Sequence, residues 1–204
     1  KRLLELNISD CVLAFRKLGK SNVDFSYEAF QDILKTSTCD VVALDISGFF
    51  KNLDHAHLKN TWAGVIGQQK LPQDHYVVYK SLTKYAYCCV DKIYNEFDIS
   101  PNNPWYQRKR ICSPVEFRSR VRAKKLIITH NESKGIPQGT AISALLSNIF
   151  MLEFDVKMHE LMVKHNGSYR RYCDDMLFIY PNTSSYKLDI EKVVSNEIAR
   201  YSLS

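Results

Sequence analysis

Asp174 and Asp175 stand side by side between Tyr169-Arg170-Arg171-Tyr172 and the apolar run Met176-Leu177-Phe178-Ile179. Adjacent carboxylates repel each other, and Asp is disfavoured in strands. A polar turn between two strands would account for the pair, since Asp is common in turns. A divalent cation would account for it equally, because Mg²⁺ takes one or two carboxylates together with phosphate oxygens of a substrate. A third carboxylate tilts the choice toward metal. Val41 to Ile46 is a short apolar run interrupted only by Asp45, the pattern of a strand buried on both faces. An unpartnered charge inside such a strand is costly, so Asp45 should lie at its end beside a partner. If strand and hairpin lie together, Asp45, Asp174 and Asp175 converge. Two Mg²⁺ ions about 4 Å apart could then bridge them, the arrangement used for in-line phosphoryl or nucleotidyl transfer.

The elements that must position these groups follow from periodicity. Residues 1 to about 38 read as helical, with Tyr27, Phe30, Ile33 and Leu34 at helix spacing. The strand ending at Asp45 follows, then two helices from His55 to about Tyr87, broken at Leu71-Pro72-Gln73. Lys134-Gly135-Ile136-Pro137-Gln138-Gly139-Thr140 opens a helix expected to run from Thr140 to Lys164 and to stop near Asn166-Gly167. Two glycines in that loop allow close backbone approach to a ligand, and Gln138 offers an amide. Ile142, Leu145, Leu146, Ile149 and Phe150 form the apolar face that should meet the core. The acidic hairpin and a final helix from about Tyr186 complete the chain. An α+β fold results, an antiparallel sheet with packed helices. His55 and His57 read as capping or surface residues, not zinc ligands.

Composition limits the function classes. With 204 residues and 45% hydrophobic content, the chain can bury a substantial core. No stretch is apolar enough for a membrane span, and the start is no signal peptide. Six cysteines without Cys-x-x-Cys spacing read as reduced thiols of a cytoplasmic protein. The net charge of +6 suits a nucleic-acid partner without identifying one. The positive charge is concentrated between Gln107 and Lys125, where Arg108, Lys109, Arg110, Arg118, Arg120, Arg122, Lys124 and Lys125 face the single Glu116. Trp105, Tyr106 and Phe117 are interleaved, so bases could stack while cations take phosphates. Arg118, Arg120 and Arg122 alternate and would share one face of a strand. A solvated basic hairpin is the plainer alternative. Arg170 or Arg171 should face nucleic acid or balance the acidic cluster.

These motifs bear a family resemblance. Asp45-Ile46-Ser47-Gly48-Phe49-Phe50 resembles motif A of reverse transcriptases, Gly135 to Asn148 their motif B, and Tyr172 to Asp175 the Tyr-x-Asp-Asp of motif C. Order and spacing agree with that family, and Phe49-Phe50 after Asp45 with Pro137-Gln138-Gly139 ahead of Leu145-Leu146-Ser147-Asn148 resembles its bacterial group, meaning group II intron, retron and phage-defence enzymes. Cys11 to Ser21, with Phe15-Arg16-Lys17 and Gly19-Lys20-Ser21, resembles the segment upstream of motif A. The resemblance implies a right-hand palm with partial fingers, divided as residues 1–38 (partial fingers), 39–55 (palm, motif A), 56–133 (fingers insertion with the basic segment) and 134–204 (palm, motifs B and C).

By the same resemblance, Asp45, Asp174 and Asp175 are catalytic and hold two Mg²⁺ ions, for which Mn²⁺ can substitute, with the Ile46 carbonyl as a backbone ligand. Ser47, Gly48 and Phe49 offer backbone N–H groups to a triphosphate. Phe50 packs under the sugar and disfavours a 2′-hydroxyl, and Gln138 and Gly139 face the incoming nucleotide. Apart from the resemblance, which is weak between residues 55 and 130, the charge clustering marks Arg108, Arg110, Arg118, Arg120, Arg122 and Lys124, with Arg170 and Arg171 beside the hairpin, as expected nucleic-acid contacts. Ser47 replaces a frequent Lys and Cys173 a commoner Ala or Met, and neither change removes a catalytic atom. The sequence stops where motif D is expected and lacks a thumb, as a piece of a longer enzyme would. The implied activity is RNA-directed DNA polymerisation in bacterial antiviral defence. The partners would be a template or non-coding RNA, a DNA primer or product, dNTP, and a partner protein or second copy. An untemplated or protein-primed nucleotidyltransferase, or a non-catalytic palm that organises RNA, are the alternatives.

Overall fold

The computed structural model describes residues 2–182 and 188–204. The chain begins with α1 (Arg2–Glu5) and α2 (Asn22–Thr36), then β1 (Cys39–Asp45). A short α3 (Phe49–Asn52) leads into α4 (His55–Val65) and α5 (Gln73–Thr83). β2 (Ala86–Cys88), α6 (Val90–Glu96), α7 (Pro114–Glu116) and β3 (Ile127–Thr129) form the middle. The last part carries α8 (Ala141–Phe150), α9 (Leu152–Lys164), β4 (Ser168–Tyr172), β5 (Asp175–Pro181) and α10 (Ile190–Ala199). The architecture is the expected α+β, with β1, β5 and β4 side by side in an antiparallel sheet and β2 paired with β3. The expected start of the last helix at Tyr186 lies outside the described residues.

Local signals set the helix starts. Ser21 and Asp24 form a reciprocal capping box on α2, Asp54 caps α4 by accepting from His57 N, and Thr140 caps α8 by accepting from Ser143 N. Each cap satisfies N–H groups that a first helical turn leaves open. Between α1 and α2 the chain is not helical, contrary to the periodicity reading. There Val12 lies parallel to Arg171 in an isolated bridge, with Leu13 N donating to Arg171 O and Arg171 N to Cys11 O.

Only one face of the sheet is packed as a core. Val42 and Leu44 of β1 join Phe178, Phe150, Phe154 and Val194 there. Val41, Ala43 and Asp45 point the other way and are exposed, so β1 is not buried on both faces as its composition suggested. That second face looks across a cavity of about 590 Å³ toward Phe25, Ala29 and Ile33 of α2. The expected single helix over 140–164 is two segments, interrupted at Met151, whose ψ of 1° leaves the helical range. The buried face of α8 is also displaced from the apolar one. Ser143 and Ser147 are fully buried while Leu145 is 56% exposed, because small hydroxyl residues bonded locally pack where a leucine was expected.

The basic segment departs most from expectation. Phe117–Arg122 is a π-helical turn following α7, not a strand. The Ser113-Pro114-Val115-Glu116 string opens a helix with a capping box and a proline in its first turn, and this local signal overrides the Arg alternation. No helix among the described residues is long and apolar enough to cross a membrane, and all six cysteines are free.

Candidate active site

The β4–β5 hairpin turns at Cys173 and Asp174, with Cys173 in a left-handed conformation at φ 62°. β1 lies against β5 in a register that sets Asp45 directly opposite Asp175. Ile46 N donates to Asp174 O at 3.3 Å, tying the residue after Asp45 to the turn. Register and turn thus gather Asp45, Asp174 and Asp175 at one end of the sheet. Partial burial, then the charges of Asp174 and Asp45, hold the Asp175 carboxyl above its ordinary range. Among the described residues no group of three or more His, Cys, Asp or Glu is arranged as it would be around a bound metal ion. An open set of mutually repelling carboxylates suits Mg²⁺, which completes its shell with water and substrate phosphates.

The turn after β1 is held by its own side chains. Gly48 takes φ 57°, and Asn52 Nδ2 donates to the Ser47 and Gly48 carbonyls at 3.2 Å each. Ser47 N donates to Ser204 O at 2.8 Å, so this N–H is not free for a triphosphate as expected. The Phe49 side chain is core, and Phe50 stacks edge-on to it at 5.4 Å with 8% of its surface exposed.

The Lys134–Gly139 loop is fastened to this turn. Gly135 N donates to Leu53 O at 2.8 Å and Ile136 N to Phe50 O at 2.9 Å. Gly135 has φ 93°, and a Cβ there would stand 2.8 Å from Lys51 O, so only glycine fits. Two histidines complete the fastening: His55 Nε2 lies 2.7 Å from Gly135 O and His130 Nε2 2.8 Å from Lys134 O. His55 is buried, not a surface residue. Gln138 and Gly139 remain exposed.

Beneath the hairpin lies a buried polar cluster that the sequence did not announce. Arg171 is fully buried and forks onto Asp155, with Nε to Oδ1 and Nη2 to Oδ2 at 2.7 Å each. Its Nη1 donates to Cys173 O at 2.6 Å, and Nη2 reaches Asn148 Oδ1 at 3.3 Å. Tyr169 donates to Asp155 at 2.8 Å, and Asn148 Nδ2 to Ala14 O at 2.9 Å. Burial disfavours the Arg171 charge, but Asp155 more than compensates and keeps it protonated. Burial pushes the Cys11 and Cys173 thiols up to about 12, so both stay neutral. Arg171 therefore balances Asp155, and burial removes it from any nucleic-acid surface. Arg170 is also engaged, donating to Asp32 of α2 at 2.5 Å.

A family model described as reverse transcriptase (RNA-dependent DNA polymerase) matches residues 6–204. The chain belongs to this family. Among solved structures, apo telomerase from Candida tropicalis aligns with a TM-score of 0.53 at 16% identity, covering 98% of this chain and 34% of that one. The Candida albicans telomerase in complex with a TWJ fragment of telomeric RNA gives 0.51 at 12% identity, over 97% and 31%. At these identities the likeness is one of fold, and the chain spans about a third of each telomerase. The sequence comparison matches no curated protein. The three-stranded antiparallel sheet with its packed helices is the reverse-transcriptase palm.

In this reverse-transcriptase chain the basic residues divide into two groups. Arg120 Nε and Lys124 Nζ bind Glu96 at 2.9 and 2.8 Å, and Arg120 also reaches the Glu96 carbonyl and sits 4.4 Å over the Phe97 ring. Hydrogen bonds from Lys124 and Arg120 hold the Glu96 carboxyl below its usual range. Arg110, Arg118 and Arg122 instead line a cavity of about 330 Å³ with Cys112, Ser113 and Phe117, and no carboxylate lines it. Arg108 is half-exposed. Asp155 and His130 are the residues the sequence reading missed, while Asn148 was read only as the end of motif B and His55 as a capping or surface residue. Asp155 had a signal, an acid at helical spacing from Met151, Met158 and Met162; His130 had none.

Proposed function

We propose that this chain is the palm-bearing part of an RNA-directed DNA polymerase acting in bacterial antiviral defence. The observation that carries this reading is the Asp45–Asp175 register beside Asp174. In the reaction, a primer 3′-hydroxyl gives its proton to water and attacks the α-phosphate of a dNTP; the O3′–Pα bond forms as the bond from Pα to the α,β-bridging oxygen breaks, and pyrophosphate leaves with that oxygen. Asp45, Asp174, Asp175 and the Ile46 carbonyl would hold two Mg²⁺ ions, which when bound lower the pKa of the hydroxyl and neutralise the leaving pyrophosphate.

The chain's own residues bind and orient. Gly48 and Phe49 present backbone N–H groups to the triphosphate, at a turn clamped by Asn52. Phe50 packs under the sugar and discriminates by shape, since an aromatic ring cannot hydrogen-bond a 2′-hydroxyl. Gln138 and Gly139 form the surface against the nucleotide, on a loop that Gly135, His55 and His130 hold in place. Fixed geometry of this kind contributes through proximity and preorganised charge. Arg108, Arg110, Arg118 and Arg122 supply phosphate contacts for the RNA template, with Arg120 and Lys124 shaping that surface from their places on Glu96. The defence setting rests on the Ile136-to-Asn148 string, which is of the phage-defence type, and a cytoplasmic place accords with free thiols.

Incorporation of radiolabelled dNTP by the intact parent protein with Mg²⁺, with and without RNA, beside Asp174→Ala, tests this. Incorporation that requires both RNA and Asp174 is expected. Incorporation without RNA that still requires Asp174 would replace it with an untemplated nucleotidyltransferase, and none across a range of RNAs and primers would refute polymerisation.

A further inference from the structure

We propose that Arg171 is a positioning residue for the metal-ligating hairpin, acting as an internal strut between Asp155 of α9 and the carbonyl of Cys173. The inference rests on the reading of Asp45, Asp174 and Asp175 as metal ligands. Geometry sets Arg171 apart from an ordinary buried ion pair. Its guanidinium spends two N–H groups on Asp155 and a further one on Cys173 O at 2.6 Å, the residue immediately before Asp174. Cys173 is also the residue whose φ of 62° makes the turn. A left-handed conformation in a side chain larger than glycine is unfavourable by itself, so the turn needs an outside contact to hold it. Arg171 supplies that contact with a planar fork that cannot rotate away without breaking its bonds to Asp155.

The anchor is rigid for its own reasons. Asp155 also accepts from Tyr169 at 2.8 Å, on the same strand as Arg171, and Arg171 Nη2 meets Asn148 of α8. Both strand partners point into the core side of the sheet, opposite the face that exposes Asp45. Helices α8 and α9 therefore set the height of the turn, and through it the position of Asp174 and Asp175 relative to Asp45. A buried ion pair is weak as a source of stability, since apolar replacement is often neutral. Positioning is the function left to explain it. Outer partners of metal ligands commonly alter metal affinity 10- to 100-fold when removed.

Stability and position can be separated. In the intact parent protein, Arg171→Met, Asp155→Leu and Tyr169→Phe together replace the ion pair and its phenol by apolar groups, leave no charge unpaired, and keep Asn148 bonded to Ala14 O. Three readings are taken: thermal unfolding, Mn²⁺ binding by paramagnetic titration, and amide hydrogen exchange at residues 172–175. Expected is a melting temperature within about 4 °C of wild type, with Mn²⁺ affinity lowered roughly 10- to 100-fold and faster exchange at the turn. A folded triple variant with wild-type Mn²⁺ affinity and exchange would overturn the strut. If the triple variant does not fold, Arg171→Lys serves, because one ammonium keeps the charge yet cannot fork onto Asp155 while holding Cys173. It should show the same two changes, and unchanged values would again overturn the proposal. Wild-type protein that binds no Mn²⁺ refutes the metal reading instead, and the exchange measurement then decides the strut alone.

Discussion

Arg171 and Arg118 carry the same charge and are held in opposite ways. Arg171 is enclosed with Asp155, and each of its three guanidinium nitrogens donates to a partner within the palm. Arg110, Arg118 and Arg122 stand around a cavity that no carboxylate among the described residues lines, while Arg120 and Lys124 beside them share Glu96 as their ion-pair partner. The difference separates two uses of a cation. One is bonded to the backbone of the turn that carries Asp174; the other lines a cavity among other arginines. Sequence position alone does not distinguish them, because Arg170-Arg171 and Arg118-to-Arg122 both read as basic residues near a site.

The comparison can be broken most severely at the carboxylates that the buried side supports. Asp45→Ala or Asp174→Ala should lower dNTP incorporation by about 10³-fold or more with little change in folding, read by steady-state kinetics beside thermal unfolding. Arg171→Ala comes next, since it leaves Asp155 charged and alone in the core. A loss of about 3–5 kcal/mol is expected in denaturant unfolding. Gly135→Ala should cost about 1–3 kcal/mol, because the φ of 93° is unsuited to alanine and the new Cβ meets the Lys51 carbonyl.

The exposed side should respond differently. Arg118→Gln or Arg122→Gln should leave unfolding unchanged and weaken RNA binding, each lowering the salt dependence of log K by about 0.7 for a single strand. Arg120→Gln, whose guanidinium is engaged by Glu96, should change RNA affinity least. Equal losses for Arg118 and Arg120 would erase the distinction drawn between open and neutralised cations.

Much of the centre was legible because it rests on short-range rules. Asp45 at the end of an apolar strand and Asp174-Asp175 at a hairpin tip required only alternation and turn chemistry, and β1 and β5 then paired with those ends together. The π-helical turn at Phe117–Arg122 departs from the strand that alternating arginines suggest, because the Ser113–Glu116 capping box, not noted in the alternation reading, starts a helix there. The exposed second face of β1 could not be read from Val41 and Ala43, which look the same whether or not a helix covers them. Arg170 and Arg171 alike read as facing nucleic acid or balancing the acidic cluster; Arg171 instead pairs with Asp155 on a separate helix, and such long-range pairing leaves no local pattern. His55 and His130 were invisible for the same reason: their partners are backbone carbonyls of the Lys134–Gly139 loop.

The central claim is that three carboxylates, brought together by one strand register, hold divalent metal with a nucleotide. Titration of Mn²⁺ into the intact protein with a dNTP present, followed by paramagnetic resonance, tests it most directly. Wild-type protein should bind Mn²⁺ more tightly with dNTP than without, and Asp45→Asn and Asp174→Asn should each abolish that gain while remaining folded. Binding that is indifferent to both substitutions would contradict the account.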